Sequence, residues 1–151
     1  MEDFVTFEIA KKLKEKGFKE HCLAHYGNTG GFYSNVIDTY DRPNQDLDYI
    51  DFLNCFNAGN SIGLIDAPTI SQVLKWLRKE KKIHITVLVI TECDKDADNN
   101  ICKEWFWSFS IINLNDGSTV YDDFEKIDCI EYQSYEEAAL AGIEYVLDNL
   151  L

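Results

Sequence analysis

Asp94, Asp96 and Asp98 alternate over five positions, with Asn99 and Asn100 behind them. Carboxylates at that spacing open the loops that bind calcium, a hard cation that takes about six to eight oxygen ligands. With Asp94 as position 1, the three acids fall at 1, 3 and 5, and Ile101 stands at the apolar position 8. The bidentate glutamate that should close such a loop at position 12 is missing. Trp105 stands there, and Glu104 comes one residue early. The flanking residues also have strand character, whereas calcium loops of this type lie between helices. The stretch therefore reads as an acidic turn between two strands, and Asp94, Asp96 and Asp98 remain only a weak metal candidate.

Other chemistry-bearing residues lack the context that chemistry needs. His21 and His25 lie four apart in HCLAH. On a helix they could share a zinc ion, but the segment reads as a strand, where that spacing is about 13 Å. His84 opens a strand without a partner in view, so the histidines are expected to be surface or half-buried. Cys22, Cys55, Cys93, Cys102 and Cys129 form no C-x-x-C pair and read as small core residues. No P-loop, nucleophile elbow or glycine-rich loop leading into a helix is present. No catalytic residue and no cofactor is expected from these patterns.

Two surface features remain. Trp105, Trp107 and Phe109 share one face of an alternating run, either beneath helices or exposed to a partner. The second feature is charge. Residues 83–151 hold 15 Asp+Glu against 3 Lys+Arg (net −12), and residues 1–82 hold 12 against 11 (net −1), which together give −13. So acidic a half repels a phosphate backbone, which argues against direct nucleic-acid binding. It suits a basic protein surface instead, as in proteins that mimic nucleic acid. The densest acidic run outside a helix is Asp122, Asp123, Glu125, Asp128 and Glu131, the candidate partner-binding residues. The bases gather in Lys11–Lys19 and Lys75–Lys82, toward the C-terminal ends of two helices, where cations suit the helix dipole.

The elements that must position these residues are legible. Thr6 caps a helix with Ile9, Ala10 and Leu13 inward, and Gly17 stops it. CLAHY and GFYSNVI flank GNTGG as a hairpin. Thr69 and Gln72 form a capping box for a second helix with Ile70, Val73, Leu74 and Leu77 buried and Trp76 beside the stripe. IHITVLVIT and EWFWSFSIINL are strands, NDGS is a turn, and STVYDDF adds a short strand. Ser134 and Glu137 form a second capping box, and Tyr135, Ala138, Ala139, Gly142, Ile143, Val146, Leu147 and Leu150 make the stripe of the last helix. The order α-β-β-α-β-β-α predicts one α+β domain over 1–151, in two layers, with helices on one face of an antiparallel sheet of four or five strands. Residues 38–66 form an irregular insertion.

KLKEKGFKEHCLAHY, APTISQVLKWLRKEKKIHITV and SYEEAALAGIEYVLDNL resemble stretches of a group of small acidic bacterial proteins often encoded with prophages and mobile elements. The resemblance covers about half the chain and leaves out residues 38–66. It implies an α+β fold and a mobile-element origin, and it carries no activity and no catalytic residues.

At 151 residues with 46% hydrophobic content, the chain can build a core without disulfides or metal. No apolar run reaches membrane-span length, and the acidic amphipathic start is not a signal peptide. The expectation is a cytoplasmic, non-catalytic interaction or accessory protein, monomeric or homodimeric, with an acidic surface. The alternative is a small enzyme with its site near residues 38–66.

Overall fold

A computed structural model describes residues 3–27, 30–34, 64–95, 101–122 and 130–151. In chain order the described elements begin with α1 (Phe7–Glu15), β1 (Ala24–Tyr26), β2 (Phe32–Ser34) and β3 (Ile65–Asp66). Helix α2 (Ile70–Trp76) continues into a π-helical turn (Leu77–Lys81). Strands β4 (Ile83–Lys95), β5 (Ile101–Asn113) and β6 (Thr119–Asp122) follow, and α3 (Tyr135–Asn149) ends the chain.

Local signals set the helix ends. Thr6 Oγ1 accepts the Ile9 N–H at 3.3 Å. At the other end of α1 the Phe18 N–H reaches the Leu13 carbonyl (2.9 Å) and the Gly17 N–H reaches Lys14 (3.2 Å). That Schellman pattern needs the positive φ of 84° that Gly17 adopts without a steric penalty. Thr69 and Gln72 form the reciprocal capping box. Ser134 caps α3, but the Glu137 carboxylate accepts from the Gln133 N–H at 2.9 Å, one residue before the cap. The expected second box is thus shifted outward.

The fold is mixed α+β, and the described strands form two antiparallel sheets of three, β2-β1-β3 and β4-β5-β6. A single sheet of four or five strands is not what they make. The strand alternation that defines each hairpin says nothing about whether two hairpins share an edge. Strand β3 supplies the third member of the first sheet by pairing Ile65 with Tyr26 and Asp66 with His25. Ile65 and Asp66 fall within the irregular insertion expected from the sequence, and two residues are too few to show a period. The rest of that insertion, through residue 63, lies outside the described residues.

Strands β4 and β5 pair in unbroken register from Ile83–Asn113 to Lys95–Ile101. One face of this hairpin meets the helices. Ile85, Phe109 and Ile111 join Ile9 and Leu13 of α1, Val73 and Leu74 of α2, and Ala139, Ile143, Val146 and Leu147 of α3 in one core. Trp76 is not beside this core but within it, edge-on to Phe18 at 5.4 Å, with Lys81 Nζ 5.0 Å above its ring. Lys12 bridges α1 to α3 through Glu144 and Asp148, both at 2.8 Å. These two carboxylates hold the Lys12 ammonium above its ordinary pKa, Asp148 contributing most. Some of the acidity of the C-terminal half is therefore matched by a base from the N-terminal half.

Candidate functional site

The aromatic stripe on β5 is divided by the reach of α3. Phe109 is buried, Trp107 half-buried, and Trp105 is 63% exposed. Gly142 sets the helix down on the strands: a Cβ there would lie 2.8 Å from Ile85 Cγ2 and 3.1 Å from Phe109 Cδ2. Toward the other end of the helix, Tyr135 in its first turn meets Trp107 edge-on at 5.8 Å. Trp105 lies two residues farther along the strand, past the start of the helix. Val89, opposite Trp107 in the register, is 50% exposed. Trp105 and Val89 thus leave an apolar patch on the same face that forms the core below. Phe109 thus lies beneath the helices, and Trp105 is exposed.

Two residues of the acidic run, Asp122 and Glu131, are placed by the structure. Asp122 closes β6 opposite Ser110 and is half-buried, whereas Glu131 is exposed. Glu131 precedes Tyr132, whose backbone exchanges two hydrogen bonds with Trp107, at 2.9 and 3.1 Å. Phe109 stacks on Tyr121 at 5.5 Å, so β6 packs along the same stripe. The two described ends of the run, Asp122 and Glu131, therefore lie along the edge of β5 that faces away from β4. Asp123, Glu125 and Asp128 lie outside the described residues.

Asp94 falls in β4, opposite Cys102 of β5. A strand at this position suits a turn between two strands, whereas position 1 of a calcium loop follows the entering helix. Asp96 and Asp98 lie outside the described residues. Among the described residues no group of three His, Cys, Asp or Glu is placed to hold a metal ion.

A second cluster was not legible in the sequence. His25 is 2% exposed, and its Nδ1 lies 3.2 Å from Asp66 Oδ1 across the β1–β3 pair. The expectation of surface or half-buried histidines fails here, because pairing with β3 encloses the ring. His21, by contrast, is exposed, and His84 is half-buried. Burial pushes the His25 pKa down, and the nearby Asp66 carboxylate offsets part of that shift. A neutral ring next to a carboxylate places its proton on Nδ1, which donates to Asp66. Cys22 is buried nearby, with its Sγ 3.4 Å from the Glu20 carbonyl. Burial, then Asp66 and Glu20, push this thiol up to about 12. A nucleophilic cysteine needs the opposite shift, so cysteine, histidine and aspartate here are not an armed triad.

The burial of His25 makes stability depend on pH with a definite sign. The folded-state pKa lies below the ordinary 6.5, so the unfolded chain binds the proton more readily. The contribution is complete above 6.5 and is lost as pH falls through the folded value. Urea unfolding of wild type and His25→Gln at pH 7.5 and pH 5 should show a wild-type loss on acidification that the variant lacks. A parallel pH dependence in the two proteins would show that His25 is not buried neutral.

A shallow cleft of about 310 Å³ lies between the end of α1 and α2, lined by Gly17, Lys19, Glu20, His21, Trp76 and Glu80. It gathers no nucleophile beside a base. No helix among the described residues is long and apolar enough to cross a membrane. No protein-family model, curated protein or solved structure matches the chain.

Proposed function

We propose that this chain is a non-catalytic interaction module that binds a basic protein through Trp105, Val89 and the acidic residues between 122 and 131. The exposure of Trp105 carries the reading. A tryptophan largely open to water is the type of side chain that dominates binding when a partner covers it. Asp122, Asp123, Glu125, Asp128 and Glu131 would add a field that speeds encounter with a positively charged surface and rejects nucleic acid. The resemblance to acidic proteins of prophages and mobile elements makes an accessory factor of such an element the natural setting, in the cytoplasm. The alternative, an enzyme with its site near residues 38–66, gains nothing from the Cys22–His25–Asp66 cluster, whose thiol is held protonated.

The test begins with capture of partners from host lysate on the wild-type chain. The captured protein is then purified and its binding measured against two variants. Trp105→Ser should weaken affinity at least tenfold, about 1.4 kcal/mol, through slower retention of the partner. Changing the five acids to Asn or Gln should instead slow association, and most at low salt. If both variants bind like wild type, this face is ordinary surface.

A further inference from the structure

Strand β4 is a 13-residue edge. Among the described residues it pairs with β5 alone. The direction of its free hydrogen-bonding groups follows from the ladder. The Leu114 N–H donates to the Lys82 carbonyl at 2.8 Å, one step beyond the Ile83–Asn113 pair in the same register. Hydrogen-bonded and non-hydrogen-bonded pairs alternate in an antiparallel ladder. Even-numbered residues of β4 therefore bond to β5, and Ile83, Ile85, Val87, Val89 and Thr91 aim their N–H and C=O groups away from it. The far edge of β5 agrees: Trp107 and Asn113, both odd, donate outward to Tyr132 and Ser118.

Natural sheets protect such an edge with proline, lysine, a bulge or a short strand. From Ile83 to Thr91 β4 has none of these, since the sequence is IHITVLVIT and the register is unbroken. Leu88 and Val89, on opposite faces at mid-strand, are 36% and 50% exposed.

We infer that the β4 edge pairs antiparallel with β4 of a second copy of this chain, joining two three-stranded sheets into one of six across a two-fold axis at Val89. Charge selects both the occupant and the direction. The segment Arg78–Lys82, which leads directly into β4, carries four bases and one acid. Residues 92–98 at the other end of β4 carry four acids, Glu92 and Asp94 among them, and one base, Lys95. A parallel pairing would set acids beside acids. An antiparallel pairing sets the basic entry of each copy beside the acidic end of the other, twice. With the axis at Val89, His84 stands opposite the other copy's Asp94, and Leu88 opposite its Ile90. Both are non-hydrogen-bonded positions, where facing side chains come closest. Registers shifted by two residues keep the same charge match. The two Val89 side chains meet on the helix-covered face, which brings the two Trp105 patches onto one surface. The pairing stands independently of any basic partner.

Sedimentation equilibrium up to about 1 mM chain tests this, since weak self-association with a Kd of that order would still be populated. Wild type should form a dimer. Val89→Pro removes only an outward N–H and should be monomeric with unchanged far-ultraviolet circular dichroism. Glu92→Lys with Asp94→Lys makes both ends basic, and Arg78→Glu with Lys79→Glu makes both acidic. Each of these proteins should associate at least tenfold more weakly alone, and a one-to-one mixture of the two should recover the dimer. The mixture decides the matter even if Val89→Pro fails to fold. A wild type that stays monomeric, a folded Val89→Pro that dimerises like wild type, or a mixture no tighter than its components would overturn the pairing.

Discussion

Ile143→Asp should cost roughly 3 kcal/mol or more, a large part of the ~5–15 kcal/mol that holds a domain together. Ile143 is fully buried on α3, in the core that also holds Leu13, Ile85 and Phe109. A carboxylate there would lose its hydration, and the surrounding core side chains are apolar. Urea unfolding should show a large drop in midpoint, or a chain that no longer folds. The neighbouring Glu144→Ala is the control. Glu144 bonds Lys12 at 2.8 Å, but its side chain is 51% exposed and Lys12 keeps Asp148. A solvent-screened pair of this kind contributes little, so the change should stay within about 0.5 kcal/mol. Equal losses at the two positions would mean that α3 presents a different face to the sheet.

The sequence reveals what local physics decides, and loses what depends on distant parts meeting. The caps at Thr6, Thr69 and Ser134 and the stop at Gly17 act within a few residues, so each is visible in isolation. The β4–β5 hairpin is visible too, because alternation and an acidic turn both announce it. Alternation gives a face but not its depth. It places Trp105, Trp107 and Phe109 together, whereas their exposure depends on where α3 stops along the strand. The stripe of α3 shows the same limit, because Tyr135 at its start is 39% exposed although it keeps the buried phase. The His25–Asp66 contact was out of reach. Its two residues are separated by a stretch without period, and β3 is only two residues long. The α-helical phase places Trp76 beside the stripe, yet it is buried. Phe18, beyond the end of α1, and Lys81 both meet its ring, and no helical wheel of α2 contains Phe18.

Gly142→Val should destabilise by roughly 3 kcal/mol or more, against the direction that helix propensity alone gives. Glycine inside a helix is about 1 kcal/mol worse than alanine, so an exposed glycine at this position would be improved by almost any side chain. Gly142 is instead the point where α3 touches the strands. The first added carbon would sit 2.8 Å from Ile85 Cγ2 and 3.1 Å from Phe109 Cδ2. Neither atom is the end of a flexible chain. The Ile85 methyl is fixed by β-branching, and the Phe109 ring is stacked on Tyr121. Relief requires the helix to lift from the sheet, which loosens Ile143 and Val146 as well. Gly142→Ala should already lower the melting temperature, because overpacking of about 1–3 kcal/mol at a 2.8 Å approach outweighs the gain in propensity. Ile85→Ala removes the obstructing methyl at its own cost. Combined with Gly142→Ala it should lose less than the sum of the two single changes, with a coupling of about 1 kcal/mol. A stabilised Gly142→Ala, or strict additivity with Ile85→Ala, would show that the helix does not rest on the strands at this point.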